Sequence, residues 1–363
     1  MNNVKKIIVW AMLSIMLQVA GLLFLDQVIF KESYDIDIQA EEIKGEVVEK
    51  NRDIDYDIPY DAKDIKVSDD TRYISYFRND KLMLLDTKSL KEREITTEKG
   101  KGILAVKWIL DEDILVIVQK ELSASGTDKV NVINYNVKYD YEQAVTKAPL
   151  CNYYEGMEVN GLVQSTKTNT TYVGISRTGF GSSVYRIDVN YNANKILNVG
   201  QLKAFKAMQR EDILIYQDSL YETINASISG TPKDLGIINM KNYTLIDVDD
   251  EGIIYLGKVG SASNDEITSI VYGHMDANFS TWATIELDKP KRVSDVYISS
   301  KSEILVNDRL KGKIINMIDS KAPQVEYKGQ LLQLTEGFIC STDNGKIIMK
   351  SLNEDNALDS QKN

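Results

Sequence analysis

An apolar segment, a polar turn holding Asp or Glu, and a second apolar segment recur from near Ile65, Ala105, Met157, Phe205, Leu245, Val293 and Leu331. The first and last starts lie 266 residues apart over six intervals, a mean near 44, while single spacings run from 38 to 52. A constant unit joined by connections of varying length is what a repeat architecture leaves in a sequence. Each unit continues into a third strand-like piece: KLMLLD, VNVINYN, SVYRIDV, LGIINM, TWATIEL, KIINMI and GKIIMKSL. Many add a fourth, more polar piece, such as EREIT after Lys91. Asn79-Asp80 and Asp343-Asn344-Gly345 stand where the second segment folds back onto the third, and they supply residues that tolerate positive φ in a tight hairpin. Four short antiparallel strands repeating every 40–45 residues or so are the pattern of propeller blades. A lone blade cannot cover its own faces, so such units bury them against one another around an axis. The expected fold is all-β, a seven-bladed β-propeller over residues 53–352, or six-bladed if two units merge.

The last unit, Leu331 to Leu352, supplies three strands before the polar tail 353–363. Upstream of the first unit, Ile54, Tyr56 and Ile58 alternate with Asp53, Asp55 and Asp57 at the period of a half-buried strand, and Pro59 ends it. The spacing predicts that this strand completes the last blade, so that both ends of the chain share one sheet.

SDDTRYISYF followed by NDKLMLLDTKS, and WILDEDILVIV in the next unit, resemble the repeats of TolB-type and dipeptidyl-peptidase-IV N-terminal-type β-propellers. The matching residues are Ser68, Asp69, Asp70, Ile74, Tyr76, Leu82, Leu84 and Asp86, then Trp108, Asp111 and Leu115. The resemblance covers Ile65 to Gln119 and is faint over the other five units. It implies the fold, and a role as an interaction platform or as a gating domain beside an enzyme domain.

Lys5 and Lys6 precede nineteen residues without formal charge, Ile7 to Leu25, enough at about 1.5 Å per residue to cross a hydrocarbon core of roughly 30 Å. Asp26, Glu32, Asp35 and Asp37 follow, so the positive-inside bias keeps the N-terminus in the cytoplasm and exports the remainder. The expectation is a single-pass protein of the cell membrane, anchored in the lipid bilayer over residues 1–30, with the propeller outside. Ala20 has Gln18 two positions upstream, a poor match to a cleavage site, although cleavage stays open. Lys31 to Asp64 holds twelve acidic residues against five basic ones, so residues 31–52 are expected to form an acidic stalk, with a short helix over Gln39 to Asn51.

Acidic residues outnumber basic ones by 54 to 43, a net charge of −11, which argues against a general nucleic-acid binder. One histidine and two cysteines leave little for metal or triad chemistry. No Gly-x-Ser-x-Gly elbow occurs, and His274, at a strand end entering a loop, has no evident nucleophile partner. Cys151 and Cys340 are expected to be separate thiols, with pairing left open. Asp247 to Gly252 begins like a calcium loop but carries Tyr255 and Lys258 at its ninth and twelfth positions, so it reads as a hairpin turn. Thr178 to Ser183 is glycine-rich but precedes no helix, and reads as a hairpin loop.

No catalytic residue, cofactor or metal is expected. The candidate binding surface is the tyrosine cluster Tyr135, Tyr139, Tyr141, Tyr153 and Tyr154, whose rings combine apolar area with a polar tip. The leading expectation is an interaction or sensing module at the cell envelope with a protein or envelope partner. The rival is a glycan-active propeller enzyme with paired carboxylates in its channel.

Overall fold

The computed structural model describes residues 2–24 and 51–352, apart from 111, 123–125, 261–265, 320, 323 and 336. The chain divides into two units, Met1–Val48 and Glu49–Asn363. The first contains one helix, Asn2–Phe24. No helix of the described residues is long and apolar enough to cross a membrane. The side chains of Ile7, Ile8 and Leu23, together with Leu25, lie outside the described part of the expected span. So do the stalk up to residue 50, the short helix proposed within it, and the tail 353–363.

The second unit is a ring of seven antiparallel sheets. Blade 1 holds the strands Lys63–Val67, Tyr73–Arg78, Lys81–Asp86 and Lys91–Glu94; blade 2 holds Gly100–Trp108, Ile114–Glu121 and Lys129–Asn136, with its outer edge in two pieces, Tyr141–Ala144 and Cys151–Asn152. Blade 3 is Met157–Ser165, Thr170–Arg177, Gly181–Ile187 and Ala193–Val199, and blade 4 is Leu202–Ala207, Ile213–Asp218, Thr223–Ile228 and Thr231–Ile237. Blade 5 is Tyr243–Val248, Ile253–Val259, Glu266–His274 and Ala283–Arg292, and blade 6 is Val296–Ile298, Ile304–Asp308, Lys313–Asn316 and Val325–Glu326. Blade 7 takes Gln330–Leu334, Phe338–Asp343 and Lys346–Ser351 from the end of the repeat and Asn51–Asp57 from its beginning. The ring is therefore closed by a strand from each end of the fold, and the closing strand starts two residues before the expected boundary at 53. Two segments are placed differently from expectation: LGIINM, Leu235 to Met240, begins in the outer strand of blade 4, because Thr223–Ile228 pairs with Ile213–Asp218 ahead of it. TWATIEL, Thr281 to Leu287, falls largely in the outer strand of blade 5, because Glu266–His274 pairs with Ile253–Val259 ahead of it.

The hairpin chemistry is as expected: Asn79 and Asp80 have φ of 49° and 59°, and Asn344 and Gly345 have φ of 52° and 86°. The core is not central but divided among the seams. Seven apolar clusters are each shared between two neighbouring sheets, as where Ile54, Ile347 and Met349 of blade 7 meet Val67, Ile74 and Tyr76 of blade 1. The smallest, at the seam of blades 6 and 7, centres on Ile314, Tyr327 and Ile339.

Polar side chains fasten the same seams. Gln333 accepts from the Val67 amide at 2.8 Å and donates to its carbonyl at 3.2 Å, joining blade 7 to blade 1. Gln217 does the same from blade 4 to blade 5, through the Leu245 amide and the Tyr243 carbonyl. In the acidic run of blade 5, Asp249 accepts from the amides of Glu251 and Ile253, from the Tyr255 hydroxyl and from Ser302 of blade 6. Asp250 accepts from the amides of Gln209 and Arg210 in blade 4, and Gly252 has φ of 77°. These carboxylates act as hairpin and seam acceptors, as the hairpin reading of the run requires. Cys151 and Cys340 are free thiols in blades 2 and 7, and burial pushes the Cys340 thiol up to about 12.

Candidate functional site

Because strands alternate in direction, each blade sends its first and third hairpins to one face and its second hairpin, with the connection to the next blade, to the other. The five tyrosines are divided by this geometry. Tyr135 is buried in the seam of blades 1 and 2, only 3% exposed, where its hydroxyl accepts from Arg93 at 2.7 Å and donates to Asp140. Tyr139 and Tyr141 are exposed beside the Asn136 end of the third strand of blade 2. Tyr153 and Tyr154 follow Cys151–Asn152, which pairs with Val130 and Lys129 at the opposite end of that strand. At about 3.4 Å per residue the strand holds the two pairs roughly 20 Å apart, on opposite faces. Tyr153 lies half-buried under the Lys120 ammonium, 4.2 Å from its ring centre.

Tyr154 belongs to a surface that the tyrosine pattern does not reveal. The Arg177 guanidinium sits between two rings, 4.4 Å from the centre of Tyr154 and 4.1 Å from that of Phe180. Phe180 is the tip of the second hairpin of blade 3, flanked by Gly179 and Gly181 at φ of 80° and 76°, and it is 74% exposed. The adjoining second hairpin of blade 4 presents Leu220 and Tyr221, 60% and 69% exposed. A side chain at Gly200 would meet Leu220 Cδ2 at 2.6 Å and the Tyr221 ring at 3.0 Å, so both residues root on bare backbone beside Gly181.

The tip of that hairpin is held from beneath by Asp218, which is buried. Its carboxylate accepts from the amides of Leu220 at 2.9 Å, Gly200 at 2.9 Å and Gln201 at 3.1 Å. A buried carboxylate with this many amide donors is a rigid support. It fixes the hairpin that carries two largely exposed apolar side chains. Tyr154, Arg177 and Phe180 stack together, and Leu220 and Tyr221 stand on the adjoining hairpin of the same face. The sequence signal for it was a Leu-Tyr pair inside a polar turn, DSLYE, and a Phe between two glycines.

The central channel is built from the first strands, which approach one another from blade to blade. Lys66, Lys107, Val163, Lys206, Asp247, Tyr297 and Gln333 occupy equivalent rungs, each two residues before the residue at the first hairpin, whose partners are set by pairs such as Ser68 with Tyr73 and Ile109 with Ile114. Among these seven positions Asp247 is the one carboxylate, so the acid and base of the glycan-enzyme rival do not meet at this level. Lys107 is half-buried. Burial, then the charges of Lys206 and Lys66, push its pKa down to about 8, against the opposing pull of Asp247. His274 ends the third strand of blade 5, where its Nδ1 accepts from the Asp276 amide at 3.1 Å. Among the described residues, no three His, Cys, Asp or Glu side chains come together as a metal site would require.

No protein-family model and no curated protein sequence matches the chain. Solved structures do. The mitotic checkpoint complex aligns at 12% identity and a TM-score of 0.48, covering 84% of this chain and 94% of that one. The Cps50 (Swd1) β-propeller domain of Myceliophteria thermophila aligns at 10% identity and a TM-score of 0.47, covering 83% and 99%. The WD40 domain of SCAP from fission yeast aligns at 9% identity and a TM-score of 0.43, covering 81% and 85%. At such identities the likeness concerns fold alone. The sheet order itself defines the class: the chain is a seven-bladed β-propeller.

Proposed function

We propose that this protein is a single-pass membrane protein whose propeller stands outside the cytoplasm and docks a protein partner at the cell envelope through the outer ends of blades 3 and 4. The observation that carries the docking reading is the buried Asp218 support beneath the exposed Leu220 and Tyr221, on the hairpin next to the one that carries Phe180 and the stacked Arg177. Aromatic and Arg side chains held rigid before binding lose little conformational entropy on complex formation, which is why they dominate interface energetics. In cells making the full-length chain, crosslinking is expected to capture a specific partner. Phe180→Ser and Tyr221→Ser should each weaken capture about tenfold or more, the effect of losing a residue worth at least ~1.4 kcal/mol. Capture unchanged by both substitutions would remove this face from consideration.

The anchoring reading is supported by the nineteen uncharged residues Ile7 to Leu25 behind Lys5 and Lys6. Around most of the helix Asn2–Phe24, Val9, Trp10, Met12, Ile15, Met16 and Leu22 are exposed, with Ser14 and Gln18 the uncharged polar residues between them. A helix whose exposed surface is mostly large apolar side chains is better matched to lipid than to water. The full-length protein is expected to stay in the membrane pellet through an alkaline carbonate wash, and protease added outside should digest the propeller. Release by the wash would contradict the anchor.

A further inference from the structure

The half-buried arginines of the ring are satisfied by their neighbours, with one exception. Arg72, Arg93 and Arg186 reach carboxylates, at 3.4 Å from Asp86, 2.9 Å from Asp140 and 3.0 Å from Asp212, while Arg52 donates to the Thr71 carbonyl and to Thr87. Arg177 is the exception. Half-buried as well, it has neither a carboxylate nor a hydrogen-bond acceptor among the described residues, and its guanidinium rests against the Tyr154 and Phe180 rings at 4.4 Å and 4.1 Å. Contact with ring faces leaves its five N–H donors uncommitted.

Two adjoining turns hold this arrangement. The Phe180 amide donates to the Arg177 carbonyl at 2.9 Å, closing a four-residue turn whose third residue, Gly179, has the positive φ, 80°, that a type II turn asks of that position. Tyr154 opens a turn of the same kind: the Met157 amide donates to its carbonyl at 3.1 Å, and Gly156 has φ of 74°. Met157 pairs with Arg177 across the first two strands of blade 3, so the strand register sets the two turns side by side. Glu155, inside the first turn, is exposed and forms no ion pair with Arg177. The donors are therefore placed before any partner arrives.

A guanidinium offers paired N–H groups on a rigid fork, which a carboxylate fills with two parallel hydrogen bonds and a peptide carbonyl with one. Apolar groups around such a pair shed water as a partner seats, and the pair strengthens where water is excluded. We propose that the partner docked on the outer ends of blades 3 and 4 sets an Asp or Glu side chain on Arg177, with large apolar side chains beside it covering Phe180, Leu220 and Tyr221. This rests on the docking reading above and adds the chemistry of the partner's contact segment. A monoanionic carboxylate suits the site better than a phosphorylated side chain, because a chain of net charge −11 repels a dianion more strongly.

The test selects displayed random peptides on the full-length chain in detergent, with the Phe180→Ser chain as counter-selection, and measures the survivors as synthetic peptides by fluorescence anisotropy. The survivors are expected to carry an Asp or Glu beside a large apolar residue. Replacing that acid by its amide should weaken binding about tenfold, and Arg177→Gln should weaken the parent peptide by a similar factor. On Arg177→Gln the acid and amide peptides should then bind alike, because both changes remove the same contact. An Arg177 that only props the Phe180 ring would instead weaken both peptides equally and preserve the gap between them. That result, or survivors without an acid, would overturn the carboxylate and leave the docking face standing. Recovery of no peptide that discriminates against Phe180→Ser would count against the docking face itself, and the carboxylate would fall with it.

Discussion

A folded body that begins at Asp61 instead of Glu49 is expected to lose its single cooperative unfolding transition. The missing segment contains Asn51–Asp57, which supplies the fourth strand of blade 7 along Lys346–Lys350. Ile54 is only 2% exposed in the seam with blade 1, and Arg52 reaches across that seam to the Thr71 carbonyl at 3.0 Å and to Thr87 at 2.6 Å. Burial of one Ile contributes about 2–3 kcal/mol, and each ladder or seam hydrogen bond about 1 kcal/mol. The sum, on the order of 5 kcal/mol, is a large share of the roughly 5–15 kcal/mol that holds a domain together. Urea unfolding followed by circular dichroism on the two bodies measures it. Equal midpoints and equal slopes would show that the ring does not depend on this closure.

Replacing Asp212 with Ala should come next in severity. Asp212 sits in the first hairpin of blade 4 and turns back to blade 3, where Arg186 Nε lies 3.0 Å and 3.1 Å from its two oxygens and the buried Tyr172 hydroxyl donates to it. Its side chain is 15% exposed and that of Arg186 18%, so removing the carboxylate leaves a shielded guanidinium and a buried hydroxyl without their acceptor. A loss of about 3 kcal/mol is expected, at the low end for a buried ion pair because some solvent reaches both partners. The effect should depend on pH. Burial works to raise the Asp212 pKa, but hydrogen bonds from Arg186 and Tyr172 and the charge of Arg186 prevail and hold it below the usual carboxylate value. A carboxyl with a lowered folded pKa contributes stability that is complete above its unfolded pKa and fades as pH falls through the folded one. The gap between wild type and Asp212→Ala should therefore be constant near neutrality and narrow in acid, below the ordinary Asp range near 3.8. A gap of constant width down to acid unfolding would show that the pair is not ionised as described.

The strands and hairpins were readable because their determinants are local. Ile74, Tyr76, Leu82 and Leu84 alternate inward along two strands of blade 1, and Asn79-Asp80 supplies the positive φ between them. Trp108, picked out by resemblance, donates its indole N–H to Ser75 at 3.1 Å and so belongs to the seam with blade 1, while Asp111 lies outside the described residues. Blades 4 and 5 depart from expectation for an equally local reason: in blade 4 the less apolar TINASI is the third strand and LGIINM begins in the outer one. In blade 5 the third strand, EITSIVYGH, follows the long connection 260–265, and TWATIEL offered the next alternating pattern.

The tyrosine cluster shows where local pattern stops. Five rings within twenty residues of sequence divide into a seam residue, a pair on one face and a pair on the other, because a strand carries its two ends to opposite sides of the ring. Arg177 and Tyr154 are 23 positions apart and stack, and no periodicity records that.

The number of repeating units, the alternation along each strand, the glycine and asparagine turns, and the spare strand that joins the ends were all set by the order of residues, since each depends on neighbours a few positions away. Which side chains share a rung of the channel and which hairpin tips adjoin across a seam were decided only when the ring closed, because closure alone brings residues from four or more separate blades to a common axis.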